Sequence, residues 1–547
     1  MEAIFELTLP LFMAYLIDSG IKKNNLSVVY SSGLYMIGLS ILGLFCVLIC
    51  QYYASVASQG FGTELRFAIV KKITEFSHTE IDEFGADTFL TRTINDVNQL
   101  QLALAMLIRL VIRAPFLSIG SIVMAFTINT YMGFIFLLTV PIFSFILYQL
   151  MNKTVPKYQD VLHTIDELNT VTSEQLTGVK VIRAFGNEEN MSKKSAQVSE
   201  KLATKYINMT KLSALLSPLT LLMTNLVIAL IIWIGDVQVS VGQLQTGDIV
   251  ALINYMLQLL AALIVVANLV TIFVRAFSAK KRVEEILNTT PSITTQHSTG
   301  SLSDHSDNTL VLKNVCFTYP DSSQNVLDHI SFTLKKGQQL GIVGPTGSGK
   351  TTLIELIQKF YLPTSGELLI NSQNILDVPT GDIRKQIHYV SQKSVILSGT
   401  IKSNLLMGNP TASEQECWEA LRWSDSLEFV DDLSMSVSEN GTNLSGGQRQ
   451  RLAIARALIG KPSILILDDA LSALDYKTDL SIRQMLNSLT FIQNTIIVSQ
   501  RISSVEQSNH IIVLNQGRII SQGTHEEMLQ TSDFYQKIVA SQTKEEN

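Results

Sequence analysis

The sequence predicts an α-helical membrane domain followed by a soluble α/β domain, and two contrasts along the 547 residues support this fold class. From about residue 3 to 277, apolar runs recur and charged residues lie mainly in the stretches between them. From about residue 300 onward, charged and apolar residues are mixed, as in the surface and core of a soluble domain. We therefore predict a membrane domain at 1–285, a linker at 286–308 and a soluble domain at 309–547.

Six helices are predicted in the membrane domain, and the first of them is short. A helix needs about 20 apolar residues to cross the hydrocarbon core of a bilayer. Five segments meet this length, near residues 29–57, 102–127, 131–152, 212–235 and 247–277. The first segment, "AIFELTLPLFMAYLI", falls below a full crossing at about 1.5 Å per residue. We expect it to be the outer part of a helix whose inner part is missing, and membrane lipid is an expected partner of the membrane domain as a whole.

The distribution of lysine and arginine predicts which loops face the cytoplasm. The stretches 62–98 and 153–211 are rich in basic residues, whereas the links 128–131 and 236–247 contain none. Because short cytoplasmic loops carry the excess of basic residues, the two rich stretches are predicted to be cytoplasmic. The soluble domain follows the basic residues 280–282 and is placed on the same side. We predict a multi-pass protein of the plasma membrane with its soluble domain in the cytoplasm.

Charge and cysteine spacing argue against two kinds of site. The net charge is −6 and no basic stripe is present, so nucleic acid is not an expected partner. Cys46 and Cys50 lie in an apolar run, and Cys316 and Cys417 lie far apart in the soluble half. None of them has metal-ligand spacing. We therefore expect buried structural thiols.

A glycine-rich segment of the soluble domain has the spacing of a phosphate-binding loop. "LGIVGPTGSGKTTLIELI" consists of an apolar strand, a GxxxxGK[ST] turn and an amphipathic helix. Backbone N–H groups of the turn suit a phosphate chain, Lys350 adds positive charge, and the Thr351 hydroxyl suits Mg²⁺. A merely structural turn is the alternative, but it does not account for the flanking strand and helix. The predicted binding residues, with ATP and Mg²⁺ as cofactors, are Gly344, Pro345, Thr346, Gly347, Ser348, Gly349, Lys350, Thr351 and Thr352.

A second segment supplies an acidic partner for this loop. "ILILDDALSALDYKT" is an apolar run that ends on two carboxylates, Asp468 and Asp469. We expect residues 464–467 to form a buried parallel strand that positions Asp468. Asp468 is predicted to hold the magnesium ion directly or through a water molecule.

A third segment shows which family the sequence resembles. In "NLSGGQRQRLAIARAL", the LSGGQ next to a phosphate-binding loop resembles the signature of ATP-binding cassette (ABC) proteins. The resemblance implies that Tyr319, in "VCFTYP", stacks on adenine and that Gln392, in "YVSQKSVILSGTI", senses magnesium and the attacking water. An ordinary strand tyrosine and a polar turn residue are the alternatives. The signature residues, implied to close over ATP held by a second cassette, are Leu444, Ser445, Gly446, Gly447 and Gln448.

The membrane half resembles the same family. "EFGADTFLTRTINDV" and "VKVIRAFGNEE" are similar to the two cytoplasmic segments, each with a short coupling helix, of exporters with six helices per half. A solvated turn is the alternative for each segment. The resemblance implies that the chain is one half of an ATP-hydrolysing exporter and works with a second half.

Two residues depart from the family pattern at the hydrolysis step. The pattern has Glu at the position of Asp469 and His at the position of Gln500. A general base must come within about 2.6–3.2 Å of the proton it takes, and Asp is one methylene shorter than Glu. Gln500 can hydrogen-bond a phosphate but carries no positive charge. We predict a site that binds ATP and hydrolyses it weakly; the alternative is that a small backbone shift lets Asp469 act as the base.

The degenerate site predicts a heterodimer. The intact LSGGQ of this chain would close over ATP bound to a different half-transporter. That partner would supply the Glu and the His. The chain resembles the heterodimeric multidrug exporters of Gram-positive bacteria, which share this asymmetry. The expected cargo is a hydrophobic or amphipathic small molecule. A lipid or peptide flippase is an alternative function with the same fold. An ATP-gated channel or regulatory subunit is a third hypothesis.

Overall fold

The computed structural model describes residues 2–293, 308–320 and 322–543, and the chain divides into two compact units. The first unit comprises Met1–Thr74 and Asp87–Thr289, and the second comprises Glu75–Ala86 and Thr290–Asn547. A short segment from the membrane half of the sequence therefore belongs with the soluble half. Residues 286–288 of the predicted linker are helical, and residues 294–307 lie outside the described part of the chain.

Long helices build the first unit. Within the residues that the structure describes, six helical segments have the length and composition to cross a membrane, as predicted. These six candidate spans are Glu2–Ile21, Leu26–Glu75, Ala86–Ile128, Thr130–Thr177, Glu188–Ser240 and Thr246–Asn288. The helices of this half of the sequence are α1 (Glu2–Tyr15), α2 (Leu26–Glu75), α3 (His78–Phe84), α4 (Ala86–Thr91), α5 (Val97–Met106), α6 (Arg113–Ile128), α7 (Thr130–Thr177), α8 (Val179–Ala184), α9 (Glu188–Ser213), α10 (Leu216–Ser240) and α11 (Thr246–Asn288). Short π-helical turns at Leu16–Ile21, Arg92–Asp96 and Leu107–Val111 connect some of them.

The first span is longer than the sequence indicated. Helix α1 continues through the π-helical turn to give 20 residues, which corresponds to about 30 Å and suffices for a crossing. The expectation of a segment too short to cross was therefore wrong. The apolar run in the sequence stops at Asp18, but this residue is buried and both its carboxylate oxygens accept from the N–H of Gly247 at 3.0 Å. A charged residue with such a partner is accommodated within a helix.

Polar side chains of α11 complete its packing against α1. Pro10 has no N–H, so the carbonyl of Glu6 lacks its usual donor within the helix. The Nε2 atom of Gln258 donates to that carbonyl at 3.1 Å, and the Tyr255 hydroxyl donates to the carbonyl of Leu7 at 2.6 Å. Two interhelical hydrogen bonds therefore hold the proline-containing stretch of α1.

Two sheets form the framework of the second unit. A four-stranded antiparallel sheet has the order β2-β1-β4-β5, and a six-stranded sheet has the order β12-β11-β3-β10-β9-β6 and is parallel except at β12. The strands are β1 (Asn308–Phe317), β2 (Leu327–Lys335), β3 (Gln339–Val343), β4 (Ser365–Ile370), β5 (Gln373–Asn374), β6 (Ile387–Val390), β7 (Gly399–Thr400), β8 (Ser436–Val437), β9 (Ile464–Asp468), β10 (Asn494–Val498), β11 (His510–Asn515) and β12 (Arg518–Gly523). The remaining helices are α12 (Lys350–Ile357), α13 (Thr380–Gln386), α14 (Ile401–Leu406), α15 (Glu414–Trp423), α16 (Gly446–Leu458), α17 (Tyr476–Ser488), α18 (His525–Thr531) and α19 (Asp533–Thr543).

Strand β9 shows why the sequence has a continuous apolar run before the two aspartates. It lies between β10 and β6 in the parallel part of the sheet, and all its residues are buried. Strands covered on both faces lack the alternation of half-buried strands. The predicted parallel strand at 464–467 is thereby confirmed.

Candidate functional site

The carboxyl ends of four parallel strands meet at one cavity. In the sheet register, Asp468 of β9 lies opposite Val498 of β10, which in turn lies opposite Ile342 of β3. The residues that follow β3, β6, β9 and β10 are therefore brought to one edge, where open parallel sheets bind ligands. The resulting cavity of about 220 Å³ is lined by Val326, Thr346, Gly347, Gly349, Lys350, Thr351, Thr352, Gln392, Asp468, Asp469, Val498, Ser499 and Gln500.

The glycine-rich loop joins β3 to α12 in a left-handed conformation. Gly347 has φ 78° and Gly349 has φ 99°, values that side-chain-bearing residues rarely adopt. Lys350 Nζ donates to the carbonyls of Gly344 and Pro345 at 2.8 and 2.9 Å. Burial lowers the pKa of Lys350, although the charges of Asp468 and Asp469 oppose this. The loop thus holds its cation beside two carboxylates at the start of a helix.

Asp468 lies at the end of β9 and accepts a hydrogen bond from a neighbouring strand. The Tyr389 hydroxyl donates to its Oδ2 at 3.1 Å, and Thr351 lies close to the carboxylate on the same cavity wall. Burial raises the pKa of Asp468, and the neighbouring charge of Asp469 raises it further, whereas Tyr389, Lys350 and Thr351 lower it. Asp468 and Thr351 place oxygen donors side by side, and hard divalent cations prefer oxygen ligands.

Asp469 turns away from the strand and meets Gln392. Its φ is 49°, in the left-handed region, and its N–H donates to the carbonyl of Val498 at 2.8 Å. Its Oδ2 accepts from Gln392 Nε2 at 3.0 Å. Two residues that the sequence singled out independently therefore share a hydrogen bond at the cavity wall.

Tyr319 lies next to the cavity and is not among its lining residues. Its hydroxyl is 3.0 Å from Thr352 Oγ1 and donates to Glu355 Oε2 at 3.1 Å. Its ring meets Tyr361 edge-on, with the ring centroids 5.4 Å apart. Burial raises the pKa of both Tyr319 and Glu355. Thr352 does line the cavity, so Tyr319 is one hydrogen bond away from it, and stacking on adenine stays a prediction.

The LSGGQ segment lies elsewhere in the second unit. Ser445 is the N-cap of α16: its Oγ accepts from the N–H of Gln448 at 3.2 Å, and Gln448 Oε1 accepts from the N–H of Ser445 at 2.8 Å. Leu444 is buried, whereas Ser445 and Gly446 are exposed. None of these residues lines the cavity described above. Their role in closing over a second nucleotide stays a prediction.

Four residues of the site were not predicted from the sequence. Val326, Val498 and Ser499 line the cavity through position alone: Val498 ends β10, Ser499 follows it, and Val326 directly precedes β2 of the antiparallel sheet. The side chain of Tyr389 lies near Asp468 because β6 pairs with β9 in parallel. The signal for Tyr389 was present, since it precedes Gln392 by three positions in an apolar strand, but no motif marks it.

Comparison with known proteins agrees with both units. A family model described as the ABC transporter transmembrane region matches residues 1–263, and one described as ABC transporter matches residues 327–472. The ABC transporter ATP-binding protein YfiB of Bacillus subtilis (strain 168) is 35% identical over 545 residues, covering 99% of this chain and 94% of that protein. The ABC transporter ATP-binding protein Rv1273c of Mycobacterium tuberculosis (strain ATCC 25618 / H37Rv) is 35% identical over 547 residues, with the same coverage.

A solved structure shows the same fold. It is described as a bacterial Atm1-family ABC exporter with ATP bound, and it matches with a TM-score of 0.84 and 23% identity over 99% of this chain and 97% of that chain. The family models, the relatives, the six candidate spans and the cavity agree, so the chain belongs to the ABC transporter family: it is a multi-pass membrane half-transporter with a cytoplasmic, ATP-hydrolysing cassette.

Proposed function

We propose that this chain is the degenerate-site half of a heterodimeric multidrug exporter. It binds ATP in its own cavity, hydrolyses it slowly, and supplies its LSGGQ to the active site of a different half-transporter. Binding and cleavage depend on different residues, and only the residues of cleavage depart from the family pattern. The proposal is supported by the cavity lining: residues of the glycine-rich loop, Lys350 and Asp468 line it together with Asp469 and Gln500, at which the family pattern has Glu and His.

The donor set of the cavity fits Mg²⁺ together with ATP. Thr351 and Asp468 supply adjacent oxygens, and the amide oxygen of Gln392 is a third candidate on the same cavity wall. When bound, the ion would offset negative charge on the phosphates. Lys350, released from the two loop carbonyls, would contact the outer phosphates. The backbone N–H groups of Gly347 and Gly349 would face the same chain.

The observation that carries the proposal is the position of Asp469. Its carboxylate is one methylene shorter than that of Glu, and Oδ2 is already engaged by Gln392 Nε2 at 3.0 Å. A base held back from the phosphates reaches the attacking water poorly, and general base catalysis is worth about 10²- to 10⁴-fold. The neutral amide of Gln500, at the same cavity, lacks the charge of a protonated imidazole. Both changes weaken the same step.

The exposed signature segment supports a partner with its own competent site. Ser445 and Gly446 present a hydroxyl and the N-terminus of α16 to the surface of the cassette. Such groups are suited to the γ-phosphate of a nucleotide on another chain. The asymmetry calls for a different chain with Glu and His, and we propose a hydrophobic or amphipathic small molecule as the cargo.

The test is the ATPase rate of the purified chain, alone and with candidate half-transporters, with and without Asp469→Glu plus Gln500→His. We expect low activity for the lone chain, an increase of at least about tenfold on restoring both residues, and rescue of the unmodified chain by its partner. The control is Asp431→Glu plus Gln415→His, which makes the same chemical changes at exposed positions of the cassette. Brisk hydrolysis by the unmodified lone chain, unchanged by the double substitution, would show that Asp469 is a working base and would end the proposal.

A further inference from the structure

We propose that Cys316, Asp328 and His329 form a binding site for a borderline-soft divalent cation such as Zn²⁺, on the antiparallel sheet of the cassette. The Cys316 Sγ, Asp328 Oδ1 and His329 Nδ1 atoms all lie within 4.8 Å of one another. Thiolate, imidazole and carboxylate are the ligand types that protein zinc sites combine. The nucleotide cavity uses none of the three residues.

A β-bulge is what brings the three side chains together. In the pairing of β1 with β2, Phe317 lies opposite Leu327 and Val315 lies opposite Ile330, so the single residue Cys316 faces both Asp328 and His329. Consecutive residues of a regular strand point to opposite faces, whereas a bulge sets two residues against one. His329 adopts φ 55°, a left-handed conformation that is uncommon outside glycine. The bulge thus brings together three residues whose spacing in the sequence does not match any rule for metal ligands.

The distances are close to those of tetrahedral coordination. Sγ of Cys316 lies 3.8 Å from His329 Nδ1 and 3.9 Å from Asp328 Oδ1, and the latter two atoms are 2.7 Å apart. Usual zinc bond lengths place sulfur about 3.5 Å from nitrogen or oxygen ligands, and nitrogen about 3.3 Å from oxygen. Shifts of well under about 1 Å therefore suffice for three protein ligands around one ion. A water molecule would take the fourth position, as in other three-ligand zinc sites.

The same geometry excludes a nucleophilic triad. In such a triad, one ring nitrogen of histidine contacts the nucleophile and the other contacts the carboxylate. Here both Cys316 Sγ and Asp328 Oδ1 face the same atom, His329 Nδ1. Three donors that converge on one point match ligation and do not match a proton relay.

Arg518 orients the carboxylate from outside. Its Nε donates to Asp328 Oδ2 at 2.7 Å, which leaves Oδ1 directed at Cys316 and His329. Outer partners of this kind are a regular part of metal sites. His329 is exposed, and Cys316 is buried beneath it, so an ion can enter from the histidine side.

The experiment is a Co²⁺ titration of the full chain in detergent without nucleotide, followed by the absorption band that a thiolate–cobalt bond produces. Co²⁺ replaces Zn²⁺ as a spectroscopic probe, and only a cysteine ligand gives this band. We expect one saturable site per chain, loss of the band in Cys316→Ser, and affinity lowered at least about tenfold in His329→Asn and about 10- to 100-fold in Arg518→Gln. Asn is chosen at 329 because it tolerates the left-handed conformation.

Matched controls separate this site from the other thiols and histidines. Cys417→Ala removes a second buried thiol of the cassette, and His510→Asn removes another of its histidines; both should bind Co²⁺ as the unmodified chain does. No thiolate band in the unmodified chain, a band that survives Cys316→Ser, or equal affinity in His329→Asn would each overturn the proposal. If Cys316→Ser does not fold, His329→Asn, which keeps the thiol, decides the question.

Discussion

Tyr389 is one of the residues that influence the protonation of the predicted magnesium ligand, Asp468. Its hydroxyl donates to Asp468 from the neighbouring parallel strand, 79 positions earlier in the chain. Burial raises the pKa of Asp468, and this hydrogen bond is among the interactions that oppose the increase. Because a protonated carboxyl group is a poor cation ligand, Tyr389 widens the pH range in which Asp468 can serve.

We predict that Tyr389→Phe weakens Mg²⁺-dependent ATP binding by about 10- to 100-fold, since a hydrogen bond to a charged group contributes about 1.5–3 kcal/mol. The loss should grow as the pH falls, because without the hydroxyl the pKa of Asp468 rises further and the carboxylate is protonated at a higher pH. Nucleotide affinity measured across an acidic pH series checks this. Tyr535→Phe, which removes a hydroxyl bonded to His525, is the control; a Tyr389→Phe profile parallel to that of the unmodified chain would contradict the prediction.

Most of the cavity residues could be predicted from the sequence, because ligand-binding residues of a parallel sheet lie at the carboxyl ends of its strands. Asp468 ends β9 and Asp469 follows it. Gln500 follows β10 and Gln392 follows β6, so the convergence of these residues at one sheet edge could be predicted. The bond between Gln392 and Asp469 was not predictable, because it depends on the left-handed turn at Asp469. The cluster at Cys316 was missed for a similar reason. It is created by a local irregularity in the pairing of β1 with β2, which no pattern of residue types indicates.

At the scale of elements, helix α3 is held at its N-terminus by a capping box and by hydrogen bonds to Ser292. Ser77 and Glu80 form a capping box, and the Oε1 atom of Glu80 also accepts from the N–H of Ser292 at 2.8 Å. The hydroxyls of Ser77 and Ser292 are 2.7 Å apart. The helix is therefore attached to residues that precede the first strand of the cassette, 215 positions later in the chain.

We predict that Glu80→Ala loosens α3, because losing an N-terminal cap costs about 0.5–2 kcal/mol. Amide hydrogen exchange of residues 78–84 should accelerate by about tenfold. Glu83→Ala, an exposed position of the same helix, serves as the comparison and should leave exchange unchanged. Equal exchange in the two variants would mean that Glu80 does not hold the helix.

The same carboxylate predicts a pH dependence. Burial would raise the pKa of Glu80, but bonds from Ser77 and Ser292 outweigh it and hold the pKa below the usual 4.5. A carboxyl group whose pKa is lowered in the folded state contributes stability above its unfolded pKa, and loses it as the pH falls through the folded pKa. Exchange of α3, corrected for intrinsic rates, should therefore rise below pH 4.5 in the unmodified chain and stay flat in Glu80→Gln.

Element lengths were the part of the fold that the sequence described least well. The apolar run at 29–57 is only the N-terminal part of a helix that extends over Leu26–Glu75. The polar residues beyond the run are helical but carry no hydropathy signal, so their continuation could not be read from it. Likewise, Asp18 ended the first apolar run without ending the helix, because Gly247 on α11 offers it a donor.

At the scale of the whole molecule, the proposed asymmetry makes the two nucleotide motifs of this chain unequal. The glycine-rich loop would serve the slow site, and the LSGGQ would serve the fast site on the partner. Substitutions in the two motifs should therefore affect the activity of the assembled transporter differently, even though both belong to one cassette.

We predict that, in the complex with its partner, Ser445→Arg lowers the ATPase rate by about 10²- to 10³-fold, the usual cost of removing a group that stabilises transition-state charge. Lys350→Met in the same chain should lower it much less, because it affects only the slow site. Ser413→Arg is the control for helix capping, since Ser413 caps α15 with the same kind of capping box. Equal losses from Ser445→Arg and Lys350→Met would indicate two equivalent sites.

The grouping of Glu75–Ala86 with the cassette bears on how this protein can be divided for study. His78 stacks on Phe360 with ring centroids 4.2 Å apart, and Asp82 accepts from the Tyr361 hydroxyl. A fragment that starts at residue 309 would lack this covering segment and leave an aromatic surface open to water. Such a fragment is expected to self-associate and to be poorly soluble. Supplying residues 75–86 as a peptide or a fusion should restore a well-behaved cassette, so a cut at the linker does not separate the two natural parts of this chain.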